Sequence, residues 1–316
     1  MFFALRSRVN YWYFRRQTRD IYRSAPMRCD PGAACEVHTM LRAIDVPLYL
    51  LAVKSLLRYT PPLAVIIYSD GTLEGEAEQV LRRHLPGCRV VSKAEADERA
   101  RAALGAGSFL HRWRDVDISY RRLMDTELWS AAPKRIIMDS DVLTVQRPDE
   151  LIDWIAHGTS PVLLGQAPTP EVEARLAREP AEVPKPDTRH VQQIFVARLR
   201  MLSERLGMPD RFLHGTSAGF YACGHELSLP RIERLLHAAL EVGIPMHRWG
   251  GEQCIVIYLL TAAGATRLDP ERHFNFGPRY VERCQSAAIV HFFGTHRFYR
   301  HVYTAMARRV AGSLAA

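Results

Sequence analysis

The stretch "RIIMDSDVLTV", residues 135 to 145, sets two aspartates one residue apart at the end of an apolar run. Ile136, Ile137 and Met138 have the continuous apolar character of a strand covered on both faces, and Val142, Leu143 and Val145 return to it. Residues i and i+2 of a strand point the same way, so Asp139 and Asp141 can converge on one point while Ser140 faces elsewhere. Two lone carboxylates at the C-terminal edge of a sheet repel and raise each other's pKa, and a divalent cation relieves that repulsion. Open α/β sheets bind ligands at this edge. The functional reading is a metal site holding an anionic ligand such as a diphosphate. A bare triplet of this kind also fits a turn in which either aspartate caps the backbone, so its surroundings decide.

Strand-like runs lie at "CEVHTML" (35 to 41), "LAVIIYS" (63 to 69), "CRVV" (88 to 91), "RIIM" (135 to 138), "PVLLG" (161 to 165), "AGFYAC" (218 to 223) and "AAIVHF" (287 to 292). Helical patterns alternate with them. Asp45 is the expected cap of a helix with Pro47 in its first turn, and Ser228 precedes Pro230 and a stripe of Ile232, Leu235, Leu236, Ala239 and Leu240. The alternation predicts an α/β fold with a mainly parallel central sheet flanked by helices. The stretch 168 to 187, "PTPEVEARLAREPAEVPKPD", is rich in Pro, Glu and Ala, and predicts a mobile insertion at about 166–190.

At 316 residues, 47% hydrophobic and 24% charged, the chain can bury a full core. No apolar run approaches the roughly 20 residues that span a bilayer, and "MFFAL" is shorter than a signal-peptide core of about 7 to 15 residues. The expectation is a cytoplasmic protein. Cys29, Cys35, Cys88, Cys223, Cys254 and Cys284 show no CxxC spacing, which suits reduced, buried thiols. Residues 1–28 carry seven arginines against one aspartate, a net +6, leaving +2 of the chain's +8 for the other 288 residues. The body is nearly neutral, so no specific nucleic acid is expected as partner. The arginines alternate with Phe, Tyr and Trp, which predicts a basic aromatic arm over residues 1–32 and a main domain over 33–316. Such an arm packs as a helix with a solvated basic face, touches anionic lipid at the inner face of the membrane or stacks on single-stranded nucleic acid.

Three further stretches surround the aspartates. "YRRLMDTELWSAAPKRIIMDSDVL" (120 to 143) places a helix with Tyr120 and Arg122 before the strand, "TSAGFYACG" (216 to 224) reads as a Ser-rich turn entering a strand, and "WGGEQCIVIYLL" (249 to 260) opens a helix with Glu252 and Gln253. "HFFGTHRFY" (291 to 299) follows near the end. With these motifs in this order, the chain resembles GT-A-fold glycosyltransferases of the glycogenin and lipopolysaccharide galactosyltransferase type, over roughly residues 33–300. The resemblance implies transfer of a hexose from a nucleotide diphosphate sugar, a UDP-sugar by family habit, with retention at the anomeric carbon.

It also implies roles. The family's YxRL helix is matched by Tyr120, Arg122 and Leu123, with Arg122 facing the donor; its DxD is matched by Asp139 and Asp141, with Ser140 between them. Ser217 stands where the family's NxG turn has asparagine, and Glu252 and Gln253 stand for its DQ pair, which binds the sugar. The C-terminal HxxGxxKPW is matched by His291, Gly294 and Arg297, with Phe298 and Tyr299 replacing its last two positions. His291 then completes the metal shell and Arg297 contacts the diphosphate. Oxygen ligands with one imidazole suit Mn²⁺ or Mg²⁺ better than zinc. By their place in the fold, His38 and Thr39 fall near the nucleotide base; Asp70 ends a strand and opens a turn, with contact to the base as its second reading. The acceptor, whether saccharide, lipid or protein, is not legible. A related nucleotidyltransferase would carry a glycine-rich loop after the first strand, where this chain reads "RAIDVP". A non-catalytic nucleic-acid or membrane module built on the arm is the other alternative.

Overall fold

The structure, a computed structural model, describes residues 2–166 and 189–316. The expected mobile insertion lies almost wholly outside the described residues. Among the described residues the strands are β1 (Cys35–Leu41), β2 (Ala64–Ser69), β3 (Arg89–Val91), β4 (Lys134–Met138), β5 (Val142–Thr144), β6 (Val162–Gly165), β7 (Thr216–Cys223), β8 (Thr266–Arg267), β9 (His273–Asn275) and β10 (Ile289–His291). Seven form the central sheet in the order β3-β2-β1-β4-β7-β6-β8, and a small sheet has the order β5-β10-β9. The central sheet is mainly parallel, as the alternation of strands and helices implies; β7 runs antiparallel to both β4 and β6.

All seven expected strands are present, although β7 begins at Thr216, so Ser217 lies in the strand and not in a turn before it. The short strands β5, β8 and β9 carry no readable period of their own. They exist through pairing with distant segments: β5 with β10, β8 with β6, and β9 with β10.

The inner strands β1, β2, β4, β6 and β7 are buried on both faces, and the edge strands β3 and β8 are not. Successive residues of β4 divide between two cores, with Ile136 and Met138 on one side and Ile137 on the other, as the pleat requires. Helices cover each face. Val46–Leu57 is buried almost all round and packs on β5, while Gly251–Ala262 packs on β7. Asp45 precedes the first of these helices, but its carboxylate caps nothing: it accepts hydrogen bonds from Tyr11 (3.1 Å) and Arg42 (2.6 Å). Ser228 likewise makes no side-chain cap, and Pro230 alone marks that helix start.

Residues of the basic arm form a helix, Phe2–Gln17, that packs on the C-terminal helix Val302–Ala315. Phe14 is fully buried and stacks on Tyr303 at 4.7 Å between ring centres. The following segment is tied down by a buried lysine: Lys54 Nζ donates to Ser24 Oγ (2.7 Å) and Ala25 O (2.7 Å) and lies 3.2 Å from His84 Nδ1.

Burial lowers the Lys54 pKa from 10.5 to about 8. Between those values the unfolded chain holds a proton that the folded chain has released, so stability rises with pH through this window. Urea unfolding of the wild type and Lys54→Met from pH 8 to 10.5 should show the wild type gaining relative to the variant. A constant difference across that range contradicts the burial account of Lys54.

Candidate functional site

β4 ends at Met138, and the turn that follows is pinned on both sides. The Asp139 N–H donates to Gly219 O of β7 (2.8 Å), the Phe292 N–H beyond β10 donates to Asp141 O (2.9 Å), and Val142 N closes the turn on Asp139 O (3.3 Å). The β5–β10 register pairs His291 with Val142, which places the imidazole beside both carboxylates. His291 Nε2 stands 3.2 Å from Asp141 Oδ1 and 3.7 Å from Asp139 Oδ2. One ligand atom from each of the three residues lies within 4.8 Å of the others.

The imidazole is oriented from behind. Its Nδ1 lies 3.0 Å from Asn275 Oδ1 and 3.2 Å from Ser217 Oγ, and Ser217 Oγ donates to Asn275 Oδ1 at 3.0 Å. Asn275 Nδ2 donates to Gly215 O (3.3 Å), which turns the amide oxygen toward the histidine. A proton on Nδ1 then leaves the Nε2 lone pair facing the aspartates, the tautomer that a metal ligand needs. Gly219 makes room, because a Cβ there would lie 2.1 Å from His291 Cε1.

Asp141 Oδ1 and His291 Nε2 are both buried, and neither has a hydrogen-bond partner. Two lone-pair acceptors facing each other out of water are costly, and a cation between them removes the cost. Two carboxylates and one imidazole fit Mn²⁺ or Mg²⁺. Burial pushes the Asp141 carboxyl up, but the neighbouring His291 imidazole and Arg297 guanidinium outweigh it and hold the group below its ordinary value. Asp139 is raised, first by burial and then by Asp141, against the pull of Arg122 and His291.

Two arginines complete the electrostatics. Arg297 Nη2 donates to Asp141 Oδ2 (2.5 Å) and its Nε to Phe292 O (3.1 Å). Gly294 opens its turn with φ of +61°, a left-handed value suited to glycine. Arg122 comes from the helix Ile118–Trp129, whose first turn is capped by Asp117 and whose Tyr120 hydroxyl donates to Met246 O (2.6 Å). Its guanidinium bonds Asp139, Ala218 O (3.2 Å) and Glu252 Oε1 (3.0 Å). Glu252 sits in the first turn of Gly251–Ala262; burial raises its pKa against the opposing charge of Arg122. Gln253 is half-buried beside it.

These groups line one cleft of about 1140 Å³ at the C-terminal edge of the parallel strands. Arg122, Asp139, Ser140, Asp141, Ser217, Glu252, Gln253, His291, Gly294 and Arg297 all border it, and so does Asp70 at its rim. The Asp70 carboxylate is engaged by Thr72 N (2.9 Å) and Thr72 Oγ1 (2.7 Å). His38 and Thr39 do not reach the cleft, which corrects their expected place near a base. His38 is buried between Tyr68 Oη (2.9 Å) and Glu36 (3.0 Å), and Thr39 donates to Met138 O (2.8 Å). β1 has the expected bounds, and it is Met40 and Leu41 at its C-terminal end that line the cleft, two residues beyond His38 and Thr39. Sequence reasoning missed Asn275. Its one signal is a lone amide inside the otherwise apolar "FNF" of residues 274 to 276.

No family model matches the chain, and no curated protein matches it by sequence. Solved structures do match. The galactosyltransferase LgtC, in complex with donor and acceptor sugar analogs, superposes with a TM-score of 0.51 at 16% identity, covering 88% of this chain and 95% of that one. The apo structure of WbbM, a bifunctional glycosyltransferase, gives a TM-score of 0.53 at 14% identity over 89% of this chain and 51% of that one. The chain therefore has the α/β fold of these glycosyltransferases, the GT-A fold that its motifs imply.

Asn275→Ala should weaken Mn²⁺ binding by about 10- to 100-fold, the usual effect of losing the partner that orients a ligand histidine. Gly219→Ala should act in the same direction by displacing the ring. Calorimetric titration of Mn²⁺ checks both, and wild-type affinity in either variant contradicts the assigned geometry.

Proposed function

We propose that the chain is a metal-dependent glycosyltransferase that moves a hexose from a nucleoside diphosphate sugar, a UDP-sugar, to an acceptor with retention at the anomeric carbon. The observation that carries this reading is the pair of orphaned atoms, Asp141 Oδ1 and His291 Nε2, facing each other beside Asp139 with two arginines in the same cleft. On this reading residues 33–316 are the transferase domain and residues 1–32 an arm to it. The protein works on the cytoplasmic side, in contact with the membrane through residues 1–28.

Asp139, Asp141 and His291 would hold the Mn²⁺ or Mg²⁺ ion, which when bound supplies a Lewis acid to the diphosphate. Arg297 can grip phosphate oxygens in a bidentate way, and with Arg122 it sets fixed positive charge where negative charge grows on the leaving diphosphate. Glu252 and Gln253 face the cleft to take sugar hydroxyls. Among the described cleft residues, each carboxylate outside the metal group is already engaged: Asp45 by Arg42, Asp70 by Thr72 and Glu252 by Arg122. None stands free as the general base that inversion needs, which supports retention.

A thermal-shift titration with UDP tests the proposal. UDP should raise the melting temperature only with Mn²⁺ or Mg²⁺ present, by the equivalent of about 2.7 kcal/mol at a hundred times its Kd. Asp139→Ala with Asp141→Ala should lose the shift. An equal shift without metal, or in the double variant, contradicts the proposal.

A further inference from the structure

The N-terminal helix has two faces with different partners. Phe14 anchors one of them in the core. On the other, Arg8, Trp12, Arg15 and Arg16 recur at spacings of three and four, which lays them along one stripe, and Arg19 follows just beyond the helix end. That stripe lines a groove of about 820 Å³ whose opposite wall is Arg42 and Ile44. None of the residues lining the groove is acidic.

Apolar groups stand out of the same surface. Trp12 is 60% exposed, Val9 55% and Ile44 52%, and the Arg16 guanidinium lies over the Trp12 ring at 5.7 Å. No helix among the described residues is long and apolar enough to cross a membrane. An exposed indole ringed by arginines is instead the arrangement that rests in the headgroup layer. Trp12 and the half-exposed Tyr22 give single-stranded nucleic acid rings to stack on, so the aliphatic groups decide between the two partners. Aliphatic Val9 and Ile44 add nothing to base stacking, but they gain from entering the acyl boundary.

Arg42 lines both this groove and the cleft. The two meet at that residue, so a surface seated in the groove lies beside one edge of the cleft.

We infer that the groove docks on an anionic phospholipid bilayer, with Trp12, Val9 and Ile44 entering the interface and the arginines taking headgroup phosphates. The mouth of the cleft then opens toward the bilayer. Resting on the transferase reading, this orientation makes the acceptor a sugar or headgroup carried by a membrane amphiphile.

Flotation of the full chain with phosphatidylcholine vesicles, with and without phosphatidylglycerol, tests the docking surface. The chain should float with the anionic vesicles only, and less as salt rises. Arg8→Glu with Arg16→Glu and Arg19→Glu should weaken vesicle binding by at least about tenfold, from the loss of surface charge. Trp12→Ala should weaken it too, with little change in salt dependence. All these side chains are exposed, and circular dichroism checks that the variants fold. Equal association with neutral vesicles, no association, a triple variant that binds like the wild type, or tighter binding to single-stranded RNA at the same salt overturns the inference. Vesicle binding needs neither donor nor metal. If it holds while UDP fails to shift the melting temperature, the docking surface stands and the transferase reading falls.

Discussion

The structure depends on the place where two antiparallel ladders meet. β7 against β4 fixes one side of the turn 139–141 through Gly219 O, and β10 against β5 fixes the other through Asp141 O. Each ladder delivers something besides the clamp. β7 brings Ser217 and the bare backbone of Gly219, while β10 ends in His291, whose ring fills the space that a side chain at 219 would take. Backbone pairing in the sheets thus sets the distances between two carboxylates and an imidazole before any side chain chooses a rotamer. Sites built on strands hold geometry more tightly than sites built on loops.

The charges in this clamp are arranged in alternation. Arg122 stands between Asp139 and Glu252, and Arg297 stands on Asp141. Burial raises the cost of every charge here, and each carboxylate has a cationic neighbour that offsets it. The arginines that neutralise the carboxylates also point into the cleft, where a diphosphate held by the cation would meet them. On the proposed reading, the residues that keep the protein folded around its acids would also receive a polyanion.

Much of this was legible in the sequence because it rests on local pattern. The i, i+2 spacing of Asp139 and Asp141 after an apolar run placed both at the sheet edge, whereas Arg122 was reached only through the resemblance of its helix to the YxRL motif. What could not be read depends on contacts between distant segments. β5 and β9 are three-residue strands with no period of their own, and only their pairing with β10 brings Asn275 behind His291. Asp45 looked like a helix cap because sequence shows its neighbours along the chain; Tyr11, from the N-terminal helix, takes that carboxylate instead. His38 was placed near a base by position in the fold, yet its ring is occupied in the core by Glu36 and Tyr68.

The central claim is that Asp139, Asp141 and His291 bind one cation that in turn holds a nucleoside diphosphate. The most direct measurement is anomalous diffraction at the manganese edge from crystals grown with Mn²⁺ and UDP. The account predicts a single anomalous peak bonded to a carboxylate oxygen of each aspartate and to His291 Nε2, with the diphosphate oxygens on its open side. UDP bound in the cleft with no peak there, or a peak held by other residues, would contradict it.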